Sequence, residues 1–275
     1  VTTNGYISER VMNDDRLYEI FNIGITEVDI SLDFANETMH NKFRGQNKAY
    51  VWALKALELC QKCKIPATIV FLGTDATLQT KNLEGLFDIA KKYDAKLRMN
   101  IFRPTRGIDK LSKQFIPSYE SLVTALKYIN EHYKILAICD PLFSSILNTD
   151  HFNADPSGSS SIRILGDGSI TPSTYLISEN FVMGNIKDGD VLKNLSISNI
   201  DFSVPEECQS CIYVEKCRGG VYDRRYLWYG NFDTSDPYCP FKKDNYVPNF
   251  KIKIADDISF SSIHDGYLPT MFFSN

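Results

Sequence analysis

Over its first 140 residues the chain alternates between two apolar periods, and this limits its possible folds more than any other feature. Residues 10–22 set Val11, Leu17, Ile20 and Phe21 at helical spacing. Residues 25–33 alternate Ile25, Val28, Ile30 and Leu32 with polar neighbours, the two-residue period of a strand. A long helix is expected over about 46–63, followed by ATIVFLG at 67–73, an apolar run short enough for a buried strand. Residues 80–93 read as a helix capped by Thr80, 96–102 as a strand, 117–132 as a helix with Pro117 in its first turn, and 134–140 as a strand. Strand and helix repeated in this order mean right-handed βαβ units and a parallel sheet. Such sheets bind ligands at the C-terminal ends of their strands, where Ser31, Asp33, Arg103 and Asp140 fall. The opening VTTNGY reads as a strand running into a turn at Asn4-Gly5. A domain starting in mid-strand is expected to be preceded by further chain, lost by truncation or removed by processing.

At 275 residues with 43% hydrophobic side chains, the chain is long enough for one large domain plus a small module and can bury a substantial core. The net charge of −4 argues against a nucleic-acid partner held by bulk positive charge. No run approaches the ~18 apolar residues of a membrane span, and no signal peptide opens the chain. A Ser/Gly/Pro-rich stretch, NADPSGSSS at 153–161, reads as a linker. Behind it, SIRILGDGSITPSTYLI places Asp167-Gly168 between two apolar runs, a hairpin signal. The expected division is therefore 1–150, then a β-rich module over 160–250, then a tail over 251–275 ending in a Met271-Phe272-Phe273 run that docks on the first part.

Four of the seven cysteines crowd into this module. Cys208, Cys211, Cys217 and Cys239 have the form Cys-x2-Cys-x5-Cys-x21-Cys, an odd total count excludes an all-disulfide framework, and four soft thiolates suit tetrahedral zinc or an iron–sulfur cluster equally well. Cys60, Cys63 and Cys139 lie in apolar surroundings and read as small buried hydrophobes.

The stretch CQSCIYVEKCRGG, the later Cys239 and the preceding DGSITPSTYL hairpin resemble the SPASM domain of radical S-adenosylmethionine (SAM) enzymes, among them sulfatase-maturating enzymes and maturases of ribosomal peptides. In the front half TTNG, ISLD, HNKFRG, Asn82 before a helix and the RPTRG turn resemble the same family, in the same order. The resemblance implies a partial (β/α)6 TIM-like barrel over 1–150 followed by a SPASM-like iron–sulfur module. It favours a cluster over zinc. It also implies SAM as cofactor, hydrogen abstraction by a 5′-deoxyadenosyl radical, a peptide or protein substrate, an electron donor such as flavodoxin or ferredoxin, and a bacterial or archaeal cytoplasm, with neither nucleic acid nor membrane as partner.

Two departures qualify it. A full SPASM domain carries two auxiliary clusters, and this chain has Val221 and a serine near Ser173 where the family pattern has cysteines. One auxiliary 4Fe–4S cluster is therefore expected, held by Cys208, Cys211, Cys217 and Cys239. The Cys-x3-Cys-x2-Cys motif that binds the catalytic cluster does not occur in these residues, so the chain as written is expected not to cleave SAM, the motif belonging to a preceding segment. Two other readings remain: a truncated, non-catalytic peptide-binding module and a zinc-stapled structural protein.

Carried over from the family, Ser31 and Asp33 are candidate SAM contacts and Arg44 a partner for the SAM carboxylate, although Arg44 pairing with Asp33 fits as well. Arg98 and Asn100, two apart on one strand face, would touch SAM or substrate if that face points into the barrel. Asp140 is a candidate proton-transfer group or a turn cap before Pro141. Arg103 and Arg106 around Pro104 read as solvated charge. Tyr222, Tyr226, Trp228 and Tyr229, mixed with Arg224 and Arg225, read as a wrap around the cluster or a stacking surface for peptide.

Overall fold

A computed structural model describes residues 1–149, 155–158, 161–189, 203–257, 260, 262 and 268–275. The parts of the linker at 153, 154, 159 and 160 lie outside the described residues. The chain runs β1 (Thr2–Thr3), α1 (Ser8–Met12), α2 (Asp15–Gly24), β2 (Val28–Ser31), α3 (Glu37–Arg44), α4 (Ala49–Cys63), β3 (Ala67–Gly73), α5 (Thr80–Lys92) and β4 (Lys96–Ile101). There follow α6 (Lys110–Lys113), α7 (Tyr119–His132), β5 (Lys134–Ile138) and α8 (Pro141–Ile146). The hairpin strands are β6 (Arg163–Ile164), β7 (Ser169–Thr171) and β8 (Gly184–Asn185), and α9 (Val214–Cys217), α10 (Tyr222–Tyr229) and β9 (Met271–Ser274) complete the order.

The expected α/β parallel sheet is present. Strands β1 to β4 are hydrogen-bonded neighbours and run parallel, with Val28 beside Ala67 and Thr68 beside Lys96. One face of the sheet is apolar. Val28, Ile30, Ile69, Phe71, Leu97 and Met99 pack under Leu57 of α4, Leu86 of α5 and Leu126 of α7. Their alternates, Asp29, Ser31, Thr68, Arg98 and Asn100, share the opposite, inner face. Burying a row of polar groups is costly unless they meet partners, so the two faces have different tasks.

Several boundaries move for identifiable reasons. The helix expected over 10–22 breaks in two because Asp14 leaves helical geometry to cap α2, accepting from Arg16 and Leu17 amides. The residues around HNKFRG form a separate helix, α3, capped by Asn36 and ended by Gly45 at φ 63°. Thr80 is the first residue of α5 rather than its cap, which is Gln79 without a side-chain bond. Ser118, not Pro117, starts α7, accepting from the Ser121 amide.

The tail departs most from expectation. Instead of docking on the barrel as an appendage, β9 enters the sheet antiparallel between β4 and β5, with Phe273 beside both Leu97 and Ile135. Residues 252–255 run along the same region, Ala255 donating to the Ile135 carbonyl. The division at 251 thus cuts through the barrel. The β6–β7 hairpin does turn on Asp167-Gly168, Gly168 taking φ 92°.

Candidate functional site

The four clustered cysteines line one small cavity of about 30 Å³, shared with Leu142 and Ile146 of α8. Local structure places each thiol. Cys208 ends a short 3-10 turn, and the Cys211 amide bonds back to the Cys208 carbonyl at 3.0 Å, making the knuckle. Cys217 ends α9, and the chain then reverses through Arg218 at φ 49°, Gly219 at φ 87° and Gly220 at φ 91°. A Cβ on Gly220 would lie 2.4 Å from the Asp236 side chain, so no other residue fits that approach. Asp236 in turn bonds its amide to the Gly219 carbonyl and accepts from the Cys239 amide, which fixes the fourth cysteine. All four thiols are free and half-buried. Burial pushes the Cys208 thiol up to about 11 and raises those of Cys217 and Cys239 as well, so any metal taken up here would have to displace their protons.

Four soft thiols around one cavity are a donor set that suits either tetrahedral zinc or an iron–sulfur cluster. A single tetrahedral zinc, with Zn–S near ~2.3 Å, draws its ligands tightly together.

Next to the cavity lies a buried ionic latch between module and barrel. Arg224 is fully buried on α10. Its Nε donates to Asp236 at 2.8 Å and its Nη1 to Asp140 at 2.6 Å. Asp140 also caps α8, accepting from the Leu142 and Phe143 amides. Of the two readings of Asp140, the cap before Pro141 is the one formed, with the carboxylate 0% exposed. A second bridge runs from Arg103, whose Nε donates to Asp223 at 2.8 Å while Ser173 donates to the other Asp223 oxygen at 2.9 Å. Arg103 is therefore not a solvated charge, whereas Arg106 is exposed. Arg225 is also buried, donating to the Thr234 carbonyl at 2.9 Å, so of the aromatic run only the parts beyond these arginines can face outward.

At the barrel mouth, Asp33 is 0% exposed and accepts from Arg44 Nε at 2.6 Å and from the Leu72 amide at 2.9 Å. Its own amide donates to His40 Nδ1 at 3.1 Å. His40 is thus neutral; burial lowers its pKa to about 4, and its 3.8 Å approach to the Asp33 carboxylate is not an ion pair. Asn82 ties the same loop down, accepting from the Ala35 amide and donating to the Asp33 and Thr77 carbonyls, each at 2.9 Å. Of the two readings of Arg44, the pair with Asp33 is the one formed, and the Asp33 carboxylate is spent on it rather than facing a ligand. Ser31 ends β2 half-buried on the inner face. Arg98 is 3% exposed and pairs with Asp29 at 3.2 Å. Cys60 and Cys139 are buried, as expected, and Cys63 is half-buried.

The fold can be matched to solved structures. The chain superposes on native anSMEcpe with bound AdoMet and Kp18Cys peptide with a TM-score of 0.67, at 19% identity, over 88% of this chain and 71% of that one. It superposes on Streptococcus suis SuiB bound to S-adenosylmethionine with a TM-score of 0.62, at 13% identity, over 86% of this chain and 58% of that one. In sequence it is 24% identical over 249 residues to the AdoMet-dependent heme synthase of Methanosarcina barkeri (strain Fusaro / DSM 804), covering 80% of this chain and 68% of that protein. In sequence and in fold the chain is thus similar to radical SAM, SPASM-type proteins. No protein-family model matches it. The likeness to the two solved structures is one of fold. Among the described residues no helix is long and apolar enough to cross a membrane.

The sequence missed both ionic bridges. Their one local trace is the Asp-Arg-Arg triplet at 223–225, set inside an aromatic run where solvated charge is out of place.

Proposed function

We propose that these residues form the barrel and auxiliary-cluster part of a radical SAM enzyme acting on a peptide or protein side chain, with one 4Fe–4S cluster held by Cys208, Cys211, Cys217 and Cys239. The observation that carries the reading is the convergence on one cavity of four cysteines spread from 208 to 239, across α9 and α10 and the turns between them. A peptide substrate is supported by the relative crystallised with a peptide and AdoMet. SAM, when bound with a reduced cluster, supplies the radical chemistry; the protein supplies binding, orientation and shielding. Ser31 and Arg98 on the inner face are the polar groups offered to cofactor and substrate, and Arg44 at its mouth is engaged with Asp33. Asp33, His40 and Asn82 hold that mouth in shape. Asp140 and Arg224 fix the module against the barrel, so the distance between cluster and barrel interior is set by buried ion pairs rather than by a linker.

The test is anaerobic reconstitution of the chain with iron and sulfide. About four irons and four sulfides per chain, brown colour and bleaching on reduction are expected. Alanine at Cys208 or Cys217 should abolish the cluster and, because metal binding couples to folding, destabilise the module. A colourless protein that takes up stoichiometric zinc in preference to iron would overturn the assignment, as would full cluster content in both variants.

A further inference from the structure

The hairpin module ends in an open sheet edge. β6 pairs with β7 through Arg163 beside Thr171 and Ile164 beside Ile170, and among the described residues no strand lies on its other side. Hydrogen bonds before and after β6 fix which way each backbone group points. The Ser161 amide donates to the Pro156 carbonyl and the Ser161 carbonyl accepts from the Gly158 amide, both at 3.0 Å. Gly158 also donates to Pro172, just past β7, at 2.8 Å. The Leu165 amide donates to the Ser169 carbonyl at 2.8 Å, and its carbonyl accepts from the Gly168 amide at 3.0 Å. Ser161, Arg163 and Leu165 therefore turn their N–H and C=O groups toward the β7 side, and by alternation Ile162 and Ile164 turn theirs outward. Among the described residues no partner meets these four groups.

The side chains are arranged to match. Ile164 lies across from Ile170 on one face; Ile170 is 0% exposed, whereas Ile164 is 48% and Ile162 38% exposed. A small apolar core thus runs out to the edge and stops there unfinished. Arg163, between the two isoleucines, is exposed on the other face with Thr171 and makes no ion pair among the described residues. Sheet edges are ordinarily blunted by lysine, proline or a covering segment, because free backbone groups pair with any extended chain. Two N–H and two C=O groups along an edge select an extended polypeptide as their partner. A second copy of this chain fits poorly. The antiparallel register that uses all four groups on both copies sets Arg163 against the same residue of the second copy, and like charges directly opposite are destabilising.

The hairpin also gives a bound strand a direction. Beyond Thr171 the chain continues to Ser173, which donates to Asp223 at 2.9 Å, and to Tyr175, whose ring centre lies 5.5 Å from the Arg103 guanidinium. Arg103 and Asp223 join barrel and module. A strand antiparallel to β6 runs in the direction of β7, so its C-terminal side heads for the barrel.

We propose that the outer edge of β6 docks an extended segment of the peptide or protein substrate by strand addition. Two apolar residues of the segment cover Ile162 and Ile164, an acidic residue between them meets Arg163, and the part to be modified follows on the C-terminal side. This rests on the peptide-substrate reading of the barrel.

The probe is the capped heptapeptide Ser-Thr-Val-Glu-Val-Thr-Ser, offered at millimolar concentration to the full chain, reconstituted as above and labelled with 15N-isoleucine. The Ile164 amide resonance is identified by its loss in I164V. Saturable binding is expected, with exchange of the Ile164 amide slowed roughly tenfold when about nine-tenths of the chain is bound. Methylating the two valine nitrogens of the probe removes its donors toward β6 and should weaken binding by about tenfold or more. I164P removes one outward N–H and leaves the β6–β7 bonds of Arg163 and Leu165 in place; it should weaken binding roughly three- to tenfold, with thermal unfolding reporting that the fold survives. R163E should reverse the preference between this probe and its lysine analogue by a few-fold. The same spectrum contains Ile30, Ile69 and Ile101 of the barrel. A probe that shifts those resonances while Ile164 exchanges freely, or that binds as tightly with its valines methylated, overturns the edge site and leaves the peptide reading standing. A probe that moves neither set overturns the edge site and counts against the peptide reading as well. A dimer in sedimentation equilibrium whose Ile164 amide is protected without probe assigns the edge to a second copy and also overturns the proposal.

Discussion

Replacing Arg224 by methionine removes the one cation of a fully buried triad while keeping most of its volume. In the native protein the guanidinium neutralises half of the charge on Asp140 and Asp236, and each carboxylate also accepts two backbone amides, from Leu142 and Phe143 and from Val221 and Tyr238. The variant keeps those amides but leaves two desolvated anions facing each other. Breaking a buried pair in this way costs about 3–5 kcal/mol, a large part of the ~5–15 kcal/mol that stabilises a typical domain. For a chain of this length each kcal/mol moves the midpoint by roughly 2–4 °C, so thermal unfolding under anaerobic conditions should show a drop of roughly 6–20 °C. Asp140→Asn in the Arg224→Met background removes one of the two stranded charges and should recover part of that loss. The double variant should therefore be more stable than the single one, a coupling a generic cavity would not produce. An R224M protein within about 1 kcal/mol of wild type, or one that D140N destabilises further, would show that the triad does not hold the module in place.

His40 and Asn82 give two further outcomes. The His40 pKa is depressed from 6.5 to about 4 by burial, so its contribution to stability is present above pH 6.5 and is lost as pH falls through 4. The acid limb of a urea-unfolding series should carry roughly 3 kcal/mol of slope between those values, and His40→Asn, which retains an acceptor for the Asp33 amide, should flatten it; an unchanged limb refutes the neutral assignment. Asn82→Ala removes three hydrogen bonds that clamp the Asp33 loop and leaves the Ala35 amide unpaired. A loss of about 2–4 kcal/mol in denaturant unfolding is expected, and a loss under 1 kcal/mol would mean that water replaces the clamp.

The parts of the fold that could be read from the sequence are those decided locally. ATIVFLG and KLRMNI are strands because seven and six residues of apolar and alternating character permit little else, and the structure places them at 67–73 and 96–101. The cysteine spacing could be read because a knuckle is a local shape. Helix α3 could not, since its polar sequence, ETMHNKFR, offers no apolar stripe and is instead defined by its caps, Asn36 and Gly45. Arg103 and Arg224 were misread or passed over for a related reason. A charged residue is normally solvated, and the burial of these two depends on partners distant in sequence, Asp223 for Arg103 and Asp140 together with Asp236 for Arg224. The inner-face position of Arg98 followed from strand alternation, but its surroundings depend on what β9 and the hairpin bring beside it.

The insertion of β9 between β4 and β5 affects the order in which the molecule can be built. On a ribosome, β1 to β5 emerge first with a gap where Phe272 and Phe273 belong, and that gap stays open until the whole cysteine-bearing excursion has been synthesised. Those five strands would have to wait as an incomplete sheet with bare edges on β4 and β5, a state prone to wrong pairing. The excursion leaves the barrel after α8 and re-enters it through residues 252–255 and β9, so it is tethered at both ends, like a handle rather than a pendant. Folding of the handle and closing of the sheet thus become late events of one assembly, and if the four cysteines take up metal as proposed, that uptake falls at the same late stage.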